Sequence, residues 1–275
     1  MTLYEEYVQL FEGLAGHLEI PAIRGLHLPP MRSAPTKKDE FGFVFLEDGS
    51  AGPFYISMED ALGPLWERFP EPDKVELDTR QVFSGFTGTT TATRALALGA
   101  INAVSHSILR RTAFDVTTCT GNPDNSLGSC NPQPGERVAM IGFFRPLIEQ
   151  LQQRQIEVTV LEKQPDRVVT GNGVRLGESL QSLQECQHVI CTASTLINQS
   201  LDEILEWGSH ATSFSLLGPS GSHLPDLLLG RGVTSVGGIQ FPDLAALQEA
   251  LRENQPWGHI GIKYQLTAQN YPGIQ

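Results

Sequence analysis

Apolar residues recur at helical spacing near the start of the chain, at Leu3, Tyr7, Leu10, Phe11 and Leu14, which predicts a surface helix over residues 3–18. The following stretch, "IRGLHLPPMRSAPTKKDE", is rich in proline and charge and suggests a loop or an irregular strand. "FGFVFLEDGSAGPFYI" then alternates as two strands joined by a turn at Asp48, Gly49 and Ser50. "MEDALGPLWERF" fits a short helix with Ser57 as its cap. The segment "TGTTTATRALALGAINAVSHSILRR" is the strongest helix of the first half. Small residues at Ala97, Gly99, Ala100 and Ala103 allow it close packing, and His106 is expected on its polar face.

From Thr117 to Arg137 the pattern breaks, with three Asn, three Gly and three Pro in 21 residues, as a linker would. Beyond it the periodicity alternates regularly. Strands fit 138–142, 157–161, 188–191, 212–217 and 233–236, and helices fit 145–154, 176–184, 196–207, 223–229 and 243–253. Strand–helix alternation implies a mainly parallel sheet covered on both faces. The expected fold class is therefore α/β: an α+β domain over 1–116, a linker over 117–137, and a Rossmann-like domain over 138–275.

In such a sheet, ligands sit beyond the carboxyl ends of the strands. The first of those ends is Gly142–Phe143–Phe144, a turn with one glycine and two aromatics. The second is Glu162, 20 residues after Gly142, where an acid in nucleoside sites bonds ribose hydroxyls. The pattern GxGxxG is missing, and bulky phenylalanines at the turn argue against an ordinary dinucleotide site. Core packing of Phe143 and Phe144, and a solvated Glu162, are the simpler alternatives. The third end collects Thr192, Ser194, Thr195 and Asn198, more polar groups than capping by Ser194 or Thr195 would need. The fourth is the Gly218–Pro219–Ser220–Gly221 turn, with Ser220 and Ser222 within reach of a ligand and His223 opening the next helix. Asp243 is expected to cap the last helix.

Composition narrows the partners. With 31 acids against 19 bases, the net charge of −12 disfavours nucleic acid and anionic membrane, both of which need basic faces. No apolar run reaches the roughly 20 residues of a membrane span. The acidic, amphipathic start is unlike a signal peptide, so a cytoplasmic location is expected. The seven histidines show no HxH, HxxxH or HExxH spacing. Of the four cysteines, Cys186 and Cys191 suit a core. Cys119 and Cys130, 11 apart in the linker, could join His106 in a soft metal site, although two unlinked thiols in a loop explain them more simply.

The ordered motifs "GAINAV", "MIGFFRPL", "VTVLEKQPD", "TASTLINQSLDEIL", "LLGPSGSHLPDLL" and "GVTSVGGIQFPD" resemble the "putative heavy-metal chelation" family. The resemblance implies an enolase-N-terminal-like domain followed by a Rossmann-like one, with a site in the cleft between them. Carried onto this chain, that site takes Asn102 from the first domain and Phe144, Glu162, Thr195, Asn198 and Ser220 from the second. The linker with Cys119 and Cys130 departs from the family pattern. The expected function is a small-ligand or heavy-metal-binding protein, with catalysis left open and a heavy-metal ion as the one cofactor implied. The alternatives are a nucleoside-cofactor enzyme, such as an S-adenosylmethionine-dependent methyltransferase, and a noncatalytic regulatory or scaffold module. The sequence is as compatible with a homodimer as with a monomer.

Overall fold

The computed structural model describes residues 1–31, 40–58, 61–120 and 127–274. Helix α1 (Leu3–His17) opens on a reciprocal capping box, in which the Thr2 side chain accepts from the Glu5 amide while the Glu5 carboxylate accepts from the Thr2 amide. Three strands follow, β1 (Ile23–His27), β2 (Phe41–Leu46) and β3 (Ala51–Tyr55), paired antiparallel in that order. The stretch expected to be a loop or irregular strand thus supplies an edge strand, whose pairing with β2 shifts register between Ile23 and Gly25. Helices α2 (Leu62–Arg68), α3 (Arg80–Phe83) and α4 (Thr91–Arg111) complete the first half. Ser57 does not cap α2. Its hydroxyl accepts from the Glu40 amide at 2.7 Å instead, and α2 begins at Leu62.

The second half is a seven-stranded sheet. Its elements are β4 (Arg137–Ile141), α5 (Arg145–Gln153), β5 (Glu157–Leu161), β6 (Val174–Leu176), β7 (His188–Thr192), α6 (Leu201–Trp207), β8 (Ser213–Leu217), α7 (Asp226–Gly230), β9 (Ser235–Gln240), α8 (Leu244–Arg252) and β10 (Ile262–Leu266). Spatial order is β10-β9-β8-β7-β4-β5-β6, parallel throughout except for β10, which runs antiparallel to β9. The chain steps outward from β4 through β5 and β6, then returns to β7 on the other side of β4. The topological switch point therefore lies between the carboxyl ends of β4 and β7.

Several helices differ from their periodicity. Where 176–184 suggested one, the chain makes strand β6 and a 3-10 segment, Leu180–Glu185. The span 196–207 divides into a 3-10 turn, Ala193–Leu196, and α6. His223 does not open α7, which starts at Asp226; its imidazole is fully buried. Strand β9 continues through Gly237 and Gly238, and Tyr264 on β10 lies across Gly238. A Cβ at Gly238 would sit 2.6 Å from the tyrosine ring. Asp243 caps α8 as expected, accepting from the Ala246 amide at 2.9 Å.

Helix α4 has buried apolar and small residues around its whole circumference, as a helix enclosed on all sides requires. It shares one core cluster with strands of both sheets, including Val44 and Phe54 of the small sheet and Val189, Leu216 and Val236 of the large one. A second junction sets Phe43 edge-on to Trp257, ring centroids 5.0 Å apart.

The stretch 117–137 holds more structure than a tether. Residues 121–126 lie outside the described residues. Leu127 and Cys130 are fully buried in the large sheet's core, and the Ser129 amide donates to the hydroxyls of Ser215 (3.1 Å) and Ser235 (2.9 Å). Gly128, at φ +74°, is needed there because a Cβ would collide with the Ser215 hydroxyl.

His106 is not on a polar face. It is buried between β3 and β10, with Nδ1 2.8 Å from the Ala51 carbonyl and Nε2 3.1 Å from the Tyr264 hydroxyl. A carbonyl only accepts, so Nδ1 carries the proton and Tyr264 donates to Nε2. Burial lowers His106 and His223 from the ordinary 6.5 to about 4. Between those values the unfolded chain binds protons that the folded one does not. Stability is therefore complete above about pH 6.5 and falls as pH drops towards 4, by about 3 kcal/mol per histidine at the acid end. Urea midpoints measured at pH 7 and pH 4.5 should differ accordingly, and less so in His106→Gln.

Candidate functional site

A cavity of about 430 Å³ opens at the switch point. Its floor is made by the carboxyl ends of β4, β5, β7 and β8, and the first half closes it with Phe41, Tyr55, Ser57, Met58 and Thr91. The size suits a metabolite.

Each strand end contributes in its own way. Gly142 leaves β4 at φ +87°, and a Cβ there would lie 2.9 Å from Thr192 Cγ2, so the glycine serves both the turn and the close approach to β7. Phe143 and Phe144 pack partly against the core and also line the cavity. Glu162 is half-buried. One of its oxygens accepts from the Gln164 amide at 3.0 Å, and the other has no partner among the described residues. Lys163 and Arg167 stand on the same side.

Beyond β7 the chain makes a hydroxyl-rich 3-10 turn. Thr192, rather than Ser194 or Thr195, caps it, its hydroxyl accepting from the Ser194 amide at 3.3 Å. Thr195 is buried and donates to the Thr192 carbonyl at 2.6 Å. Asn198 Oδ1 accepts from both the Ser200 amide (3.1 Å) and the Ser200 hydroxyl (2.6 Å). Beyond β8, Gly218 turns at φ +118° and presents Ser220, whose hydroxyl accepts from the Tyr55 amide at 2.9 Å.

Gly142, Phe144, Glu162, Thr192, Thr195, Asn198, Gly218 and Ser220 are thus brought together around one cavity. Asn102 is not among the lining residues. It is fully buried behind Ser220, and its amide nitrogen donates to the carbonyls of Pro53 (2.7 Å) and Ser220 (3.1 Å). It fastens the Ser220 turn to β3 instead of forming a wall. The contributors Phe41, Tyr55, Met58 and Thr91 have no local signal in the sequence, since only the meeting of the two halves brings them to the strand ends.

The thiols do not form a site. Cys119 belongs to the core cluster around α4, Cys130 to the cluster behind β4, and His106 is engaged by Ala51 and Tyr264. Among the described residues no group of three or more His, Cys, Asp or Glu could hold a metal ion. Burial pushes the Cys130 and Cys191 thiols up to about 12, and all four cysteines are buried and free. A chromogenic disulfide reagent should therefore titrate none of them rapidly in the native protein and all four in urea. Rapid native reaction of Cys130 would contradict this placement.

Fold and cavity together define a two-sheet α/β protein with a ligand-sized hollow at the switch point of its parallel sheet, lined from both halves. Residues 126–268 match the DUF364 family, described as "Putative heavy-metal chelation", and the chain belongs to that family. It is 26% identical over 154 residues to an uncharacterized protein of Methanocaldococcus jannaschii, an alignment covering 55% of this chain and 56% of that one. The chain thus spans little more than half the length of that curated relative. Crystal structures of two DUF364 proteins of unknown function share the fold. One, from Pyrococcus horikoshii, is 21% identical with a TM-score of 0.67, covering 97% of this chain and all of its own. The other, from Desulfitobacterium hafniense, is 16% identical with a TM-score of 0.69, covering 96% and 98%. Among the described residues no helix is long and apolar enough to cross a membrane.

Proposed function

We propose that this protein binds a small polar organic molecule in the hollow between its halves. The observation that carries this reading is the convergence of four strand ends and the first half's Tyr55 and Thr91 on one cavity at the switch point. The family's description names heavy-metal chelation, and the cavity's donors do not fit direct coordination of a soft metal. Among the described residues its lining holds one carboxylate, Glu162, with hydroxyls, the amides of Gln164 and Asn198 and the cations Lys163 and Arg167, and neither histidine nor cysteine. A thermal-shift screen of metabolites tests the reading. Compounds that stabilise the wild type should lose their effect in Thr91→Trp, which fills the cavity from the first residue of α4. Stabilisation that survives Thr91→Trp would place binding elsewhere.

A second reading, a nucleoside-containing cofactor, is favoured by one observation. Glu162 stands at the end of β5, the strand beside β4, with one carboxylate oxygen left over for hydroxyl donors. Under this reading S-adenosylmethionine, NAD or FAD shifts the melting temperature, and Glu162→Gln removes the shift.

A further inference from the structure

Hydrogen-bond accounting around the cavity shows that its two sides have opposite character. On the β7–β8 side the Asn198 amide oxygen and the Ser220 carbonyl are already engaged as acceptors. Asn198 Oδ1 takes two hydrogen bonds from Ser200, and because one donor is a backbone N–H, the amide orientation is fixed. The Asn198 NH2 group then has no acceptor in the chain among the described residues. Thr192 and Ser194 hydroxyls lie 3.0 Å apart, so one proton bridges them and the other is left to donate. The Ser220 hydroxyl accepts from Tyr55 N–H and keeps its own proton, while the Ser220 carbonyl is occupied by Asn102. This wall therefore offers surplus donors and carries no formal charge. Across the cavity, Glu162 supplies an acceptor-only carboxylate, with Lys163 and Arg167 on its flank.

Resting on the reading of this cavity as a small-molecule site, the geometry points to a ligand with a carboxylate group, seated against Asn198, Ser194 and Ser220, and a hydroxyl or ammonium donor facing Glu162. Neutral donors suit one negative charge. A phosphate dianion would call for a cation on the same wall, and among the described residues none lines it. The ligand class is accordingly a small hydroxy- or amino-carboxylic acid.

The test compares matched pairs. A panel of small hydroxy- and amino-carboxylic acids, their primary amides and inorganic phosphate is titrated at millimolar concentration by ligand-observed NMR against wild type, Asn198→Asp, Lys163→Ala and Thr91→Trp. Asn198→Asp keeps an oxygen to hold Ser200 and exchanges the NH2 donor for a negatively charged acceptor, so the turn stays intact while the wall turns against an anion. The expected result is that acids bind in preference to their amides. Asn198→Asp should weaken that binding about tenfold or more, Thr91→Trp should abolish it, and Lys163→Ala should weaken it less than Asn198→Asp does. Acids and amides binding alike, with sensitivity to Thr91→Trp, would overturn the carboxylate wall and keep the cavity. Loss in Lys163→Ala but not in Asn198→Asp would move the anion to the β5 side, and preference for phosphate would change the ligand class; either overturns the inference. Binding by no member of the panel would count against both the inference and the reading of the cavity beneath it.

Discussion

Gly52→Val is expected to cost about 3 kcal/mol or more, or to prevent folding altogether. Gly52 lies on β3 where α4 crosses it. A Cβ there would run into the Gly99 carbonyl oxygen and the Ala103 amide nitrogen of the helix. The obstacle is backbone on both sides, so no rotamer change relieves it. From the helix side, a Cβ at Gly99 would meet Val44 and Phe54. This glycine-to-glycine seat sets the depth of α4 between the sheets, and with it the height of the first half above the strand ends. Gly13→Ala is the control. Gly13 is in α1 with open space around it, and gaining helix propensity there should raise stability by about 0.5–1 kcal/mol. Urea unfolding of the two variants measures the contrast, and comparable midpoints would contradict the seat.

Asn102→Ala is expected to lower stability by about 2–4 kcal/mol, since it leaves the Pro53 and Ser220 carbonyls buried without a donor. Asn102→Asp should be worse at neutral pH. A carboxylate in that place faces two carbonyl oxygens from a fully buried position, so its protonated form is favoured and its pKa is raised in the folded state. Its penalty relative to wild type at the same pH should therefore shrink as pH falls and the acid regains a proton to donate. A local reporter accompanies the global one. The Tyr55 amide, which donates to the Ser220 hydroxyl, should lose exchange protection in Asn102→Ala before the rest of β3 does. Unchanged protection at Tyr55 would mean that Asn102 does not hold the turn.

Much of the second half could be read from local pattern. Each of its first four parallel strands other than β6 carries a short apolar run ending on a turn or a polar cluster, and those ends are where the cavity lies. Strand β6 escaped because it is three residues long on the sheet edge, and two of them, Arg175 and Leu176, are exposed, so no buried periodicity marks it. Strand β9 ran past its expected end because glycine usually interrupts a strand, whereas here the Tyr264 ring requires it. The first half was less legible where its meaning depends on the second. The composition of 117–137 suggested a tether, but the serine and glycine at 128–129 are shaped to meet Ser215 and Ser235 from distant strands. His106 reads as a polar-face residue, but the helix bearing it is buried around its circumference and offers no such face. Its polar partner, Tyr264, is 158 residues away. Asn102, expected in the cleft, instead fastens Ser220 from behind, a role set by the Pro53 and Ser220 carbonyls that only the fold brings to it. Thr91 and Tyr55 gave no signal of their own.

The most direct measurement is hydrogen exchange with a compound that stabilises the wild type and not Thr91→Trp. Saturation with that compound should slow exchange together in three stretches, around Tyr55 on the small sheet, at residues 142–144, and at residues 192–200 beyond β7. Protection confined to one half of the molecule, or appearing away from the strand ends, would contradict a ligand held between the halves.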